Sequence, residues 1–156
     1  MKNPVRPLDR TDRQILRLLQ AEGRLANVEL ARRVHLSPTP CLERVRRLER
    51  AGYITGYAAL LDAQKLEAAL LAFVEVSLDR TTADAFERFR ERVLAMPAVQ
   101  ECHMVAGGFD YLLKVRLADM AAYRLFLGEL SRLAQVSQTH TYVVMEEVKN
   151  SPALAL

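Results

Sequence analysis

Two prolines one residue apart, Pro38 and Pro40, most narrowly constrain what this chain can fold into. Proline lacks a backbone N–H and clashes with the carbonyl four residues back, so a helix holds it only in its first turn. Helical apolar spacing continues from there through Cys41, Leu42, Val45 and Leu48 to a stop near Gly52. A helix therefore opens with Ser37 as N-cap, Pro38 at N1 and Pro40 at N3. A preceding helix, with Asn27 as its N-cap, runs through Val28, Leu30, Ala31 and Val34, which leaves His35-Leu36-Ser37 as the connection. Two helices joined by so short a turn form a helix-turn-helix. One more helix, from about Asp9 to Ala21, carries the stripe Ile15, Leu16, Leu18 and Leu19 and stops at Gly23. With two prolines in its first turn, the third helix can cap only the Thr39 N–H with the Ser37 hydroxyl. It offers few N–H groups to a phosphate, so side chains beyond the cap must make any contact with nucleic acid.

At 100° per residue, Cys41, Leu42, Val45 and Leu48 gather on one side of that helix. Thr39, Glu43, Arg46, Arg47 and Arg50 lie opposite, with Pro40 and Arg44 flanking. A basic face on the second helix of such a unit suits the major groove, where arginine bonds guanine or neutralises phosphate. A solvated helix in which Glu43 pairs with Arg46 and Arg47 has the same pattern. Charge distribution bears on this choice. Residues 1–57 carry 12 Lys and Arg against 6 Asp and Glu, a net of +6, and residues 58–156 carry 10 against 13, a net of −3. The formal total of +3 thus averages a segment suited to a polyanion with one that is not.

From residue 69 the periodicity changes. Strand-like alternation over Leu71–Leu78 puts Ala72, Val74, Val76 and Leu78 on one face. A helix over Thr82–Met96 follows, marked by Phe86, Phe89, Val93 and Met96, and then strands over Val99–Ala106 and Tyr111–Leu117. A second helix spans Met120–Leu133 and a last strand Gln138–Val148. The order βαββαβ is the ferredoxin-like sandwich, two helices on one face of a four-stranded antiparallel sheet. The class is α+β. The chain divides into a helix-turn-helix (winged-helix-like) domain at 1–53, an extended connector at 54–68, and a ferredoxin-like domain at 69–156. The other sheet face, carrying Leu71 and Phe73, is too apolar for water and points to an isologous dimer.

Motifs for chemistry are missing. Cys41 and Cys102 fit neither a disulfide framework nor a metal set, which suits a reducing cytosol. His103 and His140 could approach across strands but lack further ligands. Glu146 and Glu147, on the last strand, would point to opposite faces and cannot act as a pair. No nucleophile elbow, phosphate-cradling loop or zinc-protease motif occurs, so neither an enzyme nor a metal or organic cofactor is expected. The longest apolar run, Ala68–Val74, is far below the roughly 20 residues of a membrane span. The basic N-terminus lacks the apolar stretch of a signal peptide. A cytoplasmic protein is expected, and a nucleoid-associated one if the basic segment meets DNA. One loop stands out: Gly107-Gly108-Phe109-Asp110-Tyr111 offers backbone N–H groups to a small ligand and a carboxylate to an ammonium. The same residues suit a plain hairpin turn.

Leu8-Asp9-Arg10, Asn27-Val28-Glu29-Leu30, Leu36–Arg50 (LSPTPCLERVRRLER), Gly107–Lys114 (GGFDYLLK) and Thr141–Lys149 (TYVVMEEVK) together make the chain resemble the Lrp/AsnC family of bacterial regulators. It is most similar to the family's leucine-responsive members, over about residues 8–149. The resemblance implies a sequence-specific DNA-binding transcriptional regulator whose assembly and promoter activity respond to leucine or a related amino acid. It also implies a β linker at 54–68 and an effector-binding and oligomerisation domain at 69–156, with homodimers, joined through the C-terminal sheets, that associate into octamers or larger rings. The implied DNA-contacting set is Asn27, Ser37, Pro38, Thr39, Pro40, Glu43, Arg44, Arg46, Arg47 and Arg50. The implied effector set is Met104, Val105, Gly107, Gly108, Phe109, Asp110 and Tyr111. Two positions depart from the family pattern. His35 stands where close relatives often carry glycine, in a turn that histidine's tolerance of left-handed backbone preserves. Gly108 stands where relatives carry a charged residue. Two other readings are a local regulator of branched-chain amino-acid catabolism and, in a different class, an allosteric amino-acid-binding subunit of a metabolic enzyme. The basic segment argues against the latter.

Overall fold

A computed structural model describes residues 7–133 and 135–156. The described residues form two compact units, one within residues 7–60 with 150–156 and the other within residues 61–149. The first contains α1 (Arg10–Ala21), α2 (Asn27–Arg33) and α3 (Pro38–Arg50). Ile15, Leu16, Leu30, Ala31, Val34, Cys41 and Leu48 form its core, with Leu18, Leu19, Leu36, Val45 and Ile54 packed on it half-buried. Leu42, expected on this apolar side, is 36% exposed, because the helix presents only Cys41 and Leu48 fully to the core.

The turn between α2 and α3 has a specific closure. His35 adopts φ +55°. Its N–H bonds the Arg32 carbonyl at 3.3 Å, and the Leu36 N–H reaches the Ala31 carbonyl at 2.9 Å. These two bonds form a Schellman motif, which requires a left-handed residue between them. The same device ends α3. Gly52 adopts φ +75°, its N–H meets the Glu49 carbonyl, and the Tyr53 N–H meets the Leu48 carbonyl.

The second unit is a sheet of β1 (Leu70–Leu78), β2 (Val99–Met104), β3 (Tyr111–Leu117) and β4 (Val136–Val143), in the order β2-β3-β1-β4. All pairings are antiparallel. Helices α4 (Ala83–Leu94) and α5 (Met120–Ser131) cover one face. They bury Ala72, Val74, Val76, Leu78, Leu113 and Val115 against Phe89, Val93, Phe126 and Leu130. This is the expected ferredoxin-like arrangement. Asp119 caps α5 by accepting the Ala121 and Ala122 N–H groups, both at 2.8 Å.

Register places Leu71, Phe73, Glu75, Leu112, Lys114, Arg116, His140 and Tyr142 on the other face. That face is less apolar than expected, since charged groups alternate with Phe73, Leu112 and Tyr142. Lys114 donates to Glu101 at 2.9 Å, and Arg116 to Glu147 at 2.8 Å.

Several expectations change here. The last strand ends at Val143 rather than Val148. Glu146 and Glu147 therefore lie beyond the sheet, and the opposite-face argument does not apply to them. His103 and His140 stand on opposite edge strands, with Leu112 and Glu75 between them in register. Three inter-strand spacings separate them, roughly 14 Å. Residues 54–68 contain no strand, because their backbone finds no ladder partner among the described residues. Residues 150–156, expected in the second domain, group with the first unit. Gln20 of α1 grips Leu154 there, accepting its N–H at 2.7 Å and donating to its carbonyl at 3.2 Å. Arg17 donates to the Leu156 carbonyl at 2.6 Å.

Candidate nucleic-acid interface and effector loop

The start of α3 is built from its prolines outward. Ser37 is the N-cap, as expected, but its hydroxyl makes no capping hydrogen bond. Ser37, Pro38 and Thr39 are exposed and Pro40 is half-buried. Asn27 is not the N-cap of α2, a position that Ala26 holds. It is the first helical residue, and its side-chain amide donates to the Pro38 carbonyl at 2.8 Å. It therefore ties the second helix to the first turn of the third.

The charged side chains of the expected α3 face and its flank divide into two groups. Glu43, Arg46 and Arg50 are exposed, and the two arginines have no ion pair among the described residues. Arg47, together with the flanking Arg44, is turned towards α1. Arg44 Nη1 lies 2.6 Å from Asp9 Oδ2 and 2.8 Å from Asp12 Oδ1, and Arg47 Nη2 lies 2.5 Å from the same Asp12 oxygen. Asp12 is 1% exposed, the one buried charged residue among those described. A buried carboxylate is tolerable only when paired, and two guanidinium groups supply that pairing. Asp9 and Asp12 also form a capping box at the start of α1, with the Asp12 N–H on Asp9 Oδ1 at 2.8 Å. The hydrogen bond from Arg44 holds the Asp9 carboxyl below its ordinary range. Asp12 was missed at the sequence level. Its Asp-x-x-Asp spacing marks a capping box, but nothing local shows partners more than 30 residues away.

A second charged group stabilises α2. Glu29 accepts from Arg32 at 2.7 and 2.8 Å and from Arg33 at 2.8 Å, and Arg33 also pairs with Glu22. These bonds, that from Arg32 foremost, lower the Glu29 carboxyl to about 2. The α2 arginines are thereby paired, while Arg46 and Arg50 on α3 have no ion pair among the described residues.

In the other unit, the loop after β2 is clamped at its ends and open at its tip. The Val105 N–H bonds the Asp110 carbonyl, and the Asp110 N–H bonds the Val76 carbonyl, both at 3.0 Å. Asp110 Oδ2 accepts the Leu78 N–H at 2.7 Å, where β1 shifts register against β4. One carboxylate oxygen is thus committed to the sheet. Gly107 and Gly108 are exposed, and a Cβ on either would meet nothing within 4 Å. Neither has a positive φ. The fold of this chain by itself does not demand glycine there. Met104 is exposed, while Val105 and Phe109 are half-buried. Tyr111 lies in the core, not at the loop surface, with its ring 4.5 Å from that of Phe89 and 6.1 Å from that of Phe86. It follows the alternation of β3, which points it beneath the helices.

Among the described residues no cluster of three His, Cys, Asp or Glu side chains could hold a metal ion, and no helix is long and apolar enough to cross a membrane. Burial raises the Cys41 and Cys102 thiols above their ordinary range.

Two family models match. Residues 8–55 match a winged helix-turn-helix DNA-binding domain, and residues 71–154 match the Lrp/AsnC ligand binding domain. The chain is 59% identical over 156 residues to leucine-responsive regulatory proteins of Klebsiella pneumoniae and Escherichia coli, covering 99% of this chain and 95% of each relative. Among solved structures, the transcriptional regulator NMB0573 of Neisseria meningitidis, in complex with L-Met, superposes with a TM-score of 0.92 at 41% identity. That match covers 96% of this chain and 97% of the other. An AsnC family regulator from Agrobacterium tumefaciens superposes with a TM-score of 0.91 at 35% identity, covering 95% and 97%.

Proposed function

The chain belongs to the Lrp/AsnC family, and from that premise we propose that it is a sequence-specific transcriptional regulator whose assembly and promoter activity respond to leucine or a related amino acid. The observation that carries the DNA half is Arg46 and Arg50, exposed on the solvent side of α3 and unpaired among the described residues. Their guanidinium groups bond guanine edges or neutralise phosphates, and Thr39 and Glu43 lie on the same stripe. Ser37 and Pro38 approach the backbone beside them, while Asn27 and Pro40 hold the turn. Its role is regulatory rather than catalytic, in the cytoplasm on the nucleoid.

The effector half rests on the loop from Met104 to Asp110. A zwitterion presents an ammonium, which the second Asp110 oxygen receives, and a carboxylate, which the Gly107 and Gly108 N–H groups receive. Methionine in the Neisseria complex has the same backbone charges and a side chain of similar size. Glycine is free to be replaced as far as this chain's own contacts go, which suits a loop kept small for something that approaches it. Self-association joins the two halves. A second copy covers Phe73, Leu112 and Tyr142 on the open sheet face, and dimers assemble further into an octamer or larger ring. An amino acid that binds one assembly more tightly shifts the population towards it.

The test is genome-wide mapping of bound sites with and without added leucine, alongside binding to a bound promoter fragment over a salt series. Affinity should fall with salt, and Arg46→Ala should reduce the logarithmic slope by about 1. Salt-independent binding would remove the DNA mechanism. Unchanged occupancy, expression and assembly on adding leucine would remove leucine as the signal.

A further inference from the structure

We infer that Asp12 is a positioning residue for DNA reading, one that withdraws Arg44 and Arg47 from the DNA and sets the rotation of α3 through them. This rests on the DNA-binding role proposed above. The observation is geometric: one buried carboxylate oxygen, Asp12 Oδ1, receives two guanidinium groups from successive turns of the same helix. Asp9 adds a second carboxylate on Arg44, so two negative and two positive groups close on one another. Two anchors three residues apart on α3 and one on α1 fix both the rotation of α3 and its displacement along its own axis. Apolar contacts through Ile15, Leu16, Cys41 and Leu48 are less directional. A buried ion pair is a weak source of stability, and on this inference its role is to choose one packing over its neighbours.

What the clamp orients follows from helix geometry. At 100° per residue, Thr39, Glu43, Arg46 and Arg50 fall within about 60° of one another. That stripe is centred about 100° round the helix from the midpoint of Arg44 and Arg47. Holding one flank therefore aims the other. All four arginines look equivalent in the sequence, yet on this inference they do two jobs. Arg46 and Arg50 touch DNA, whereas Arg44 and Arg47 act through Asp12.

The experiment compares two probes, a random-sequence duplex and a duplex selected from a random library by the unsubstituted full chain. Binding to each is measured over a salt series. Asp12→Asn keeps the shape and removes the charge. It should cost about tenfold or more on the selected duplex, the scale of lost base contacts. On random DNA it should bind no worse, with a logarithmic salt slope steeper by about 1, because Arg47 is released to reach a phosphate while Asp9 still holds Arg44. A purely structural defect would weaken both probes alike and leave the slope unsteepened, and that result would overturn the inference. Melting and far-ultraviolet circular dichroism establish that the variant is folded. If it is not, Arg44→Met and Arg47→Met, which keep the aliphatic stem, decide the matter. Both should leave the slope on random DNA unchanged, while Arg46→Met lowers it by about 1. A decrease with Arg44→Met or Arg47→Met equal to that of Arg46→Met overturns the inference. Salt-independent binding by the unsubstituted chain would instead bring down the DNA-binding role itself.

Discussion

Replacing His35 by glycine should stabilise the first unit, and the size of the effect follows from one backbone angle. His35 sits at φ +55°, at the residue between α2 and α3 where the Schellman bonds require a left-handed conformation. For a residue with a Cβ that conformation costs roughly 1–2 kcal/mol. Glycine removes the cost but loses about 0.5–1 kcal/mol through the greater freedom of its unfolded chain. The side chain is exposed, so little packing is lost with it. The net gain should be about 0.5–1 kcal/mol, and for a unit of this size each kcal/mol moves a melting midpoint by about 4–8 °C. His35→Val should move it the other way by about 1 kcal/mol or more, since a branched Cβ tolerates this region least. Thermal melts of the full chain, followed through the transition of the first unit, supply the readout. A lower midpoint for His35→Gly would refute the reasoning, because it would mean that the imidazole makes a contact worth more than the strain.

Other perturbations test separate parts of the structure. Glu29 has a folded value of about 2, against an ordinary 4.5, and Asp9 is also lowered from its ordinary 3.8. Between the folded and unfolded values the unfolded chain binds more protons, so their contribution is full above about pH 5 and is lost as pH falls towards 2. Denaturant midpoints measured from pH 5 to 2 should therefore fall, and Glu29→Gln should flatten that slope; an unchanged slope would show that the Arg32 and Arg33 bonds do not persist in solution. Gln20→Ala removes both bonds to Leu154. It should cost about 1 kcal/mol in the first unit and speed amide exchange at Leu154, whereas unaltered exchange would mean that the tail is not held there. Phe89→Ala empties a fully buried site against Tyr111. A loss of about 3–5 kcal/mol in the second unit is expected, and a loss below 1 would contradict the packing described.

Much of the fold was legible because it is local. Pro38 and Pro40 set the start of α3 to the residue, and a left-handed His35 was foreseeable from the short connection and the family pattern. Alternation in β1 identified Ala72, Val74, Val76 and Leu78 as core. Legibility failed where a residue's partner is distant. Val144–Val148 continue an apolar-rich pattern, yet the strand stops at Val143, whose pairing with Ala72 is the last of the ladder with β1. The wheel placed Arg46 and Arg47 on one face, and it could not register that a carboxylate on α1 claims Arg47 and not Arg46. Tyr111 read as part of a loop because it adjoins Phe109-Asp110, while β3 turns it into the core.

The sequence by itself determined which elements form, in what order, and which segment carries the positive charge. Periodicity, caps and proline sterics act over a few residues and need no knowledge of the rest of the chain. Only the tertiary structure decided which of those positive charges are free. Arg44 and Arg47 are neutralised by Asp9 and Asp12, 32 to 35 residues away in the chain, whereas Arg46 and Arg50 face water. The physical reason is that a buried carboxylate must be paired, and packing alone selects which of several arginines comes within reach.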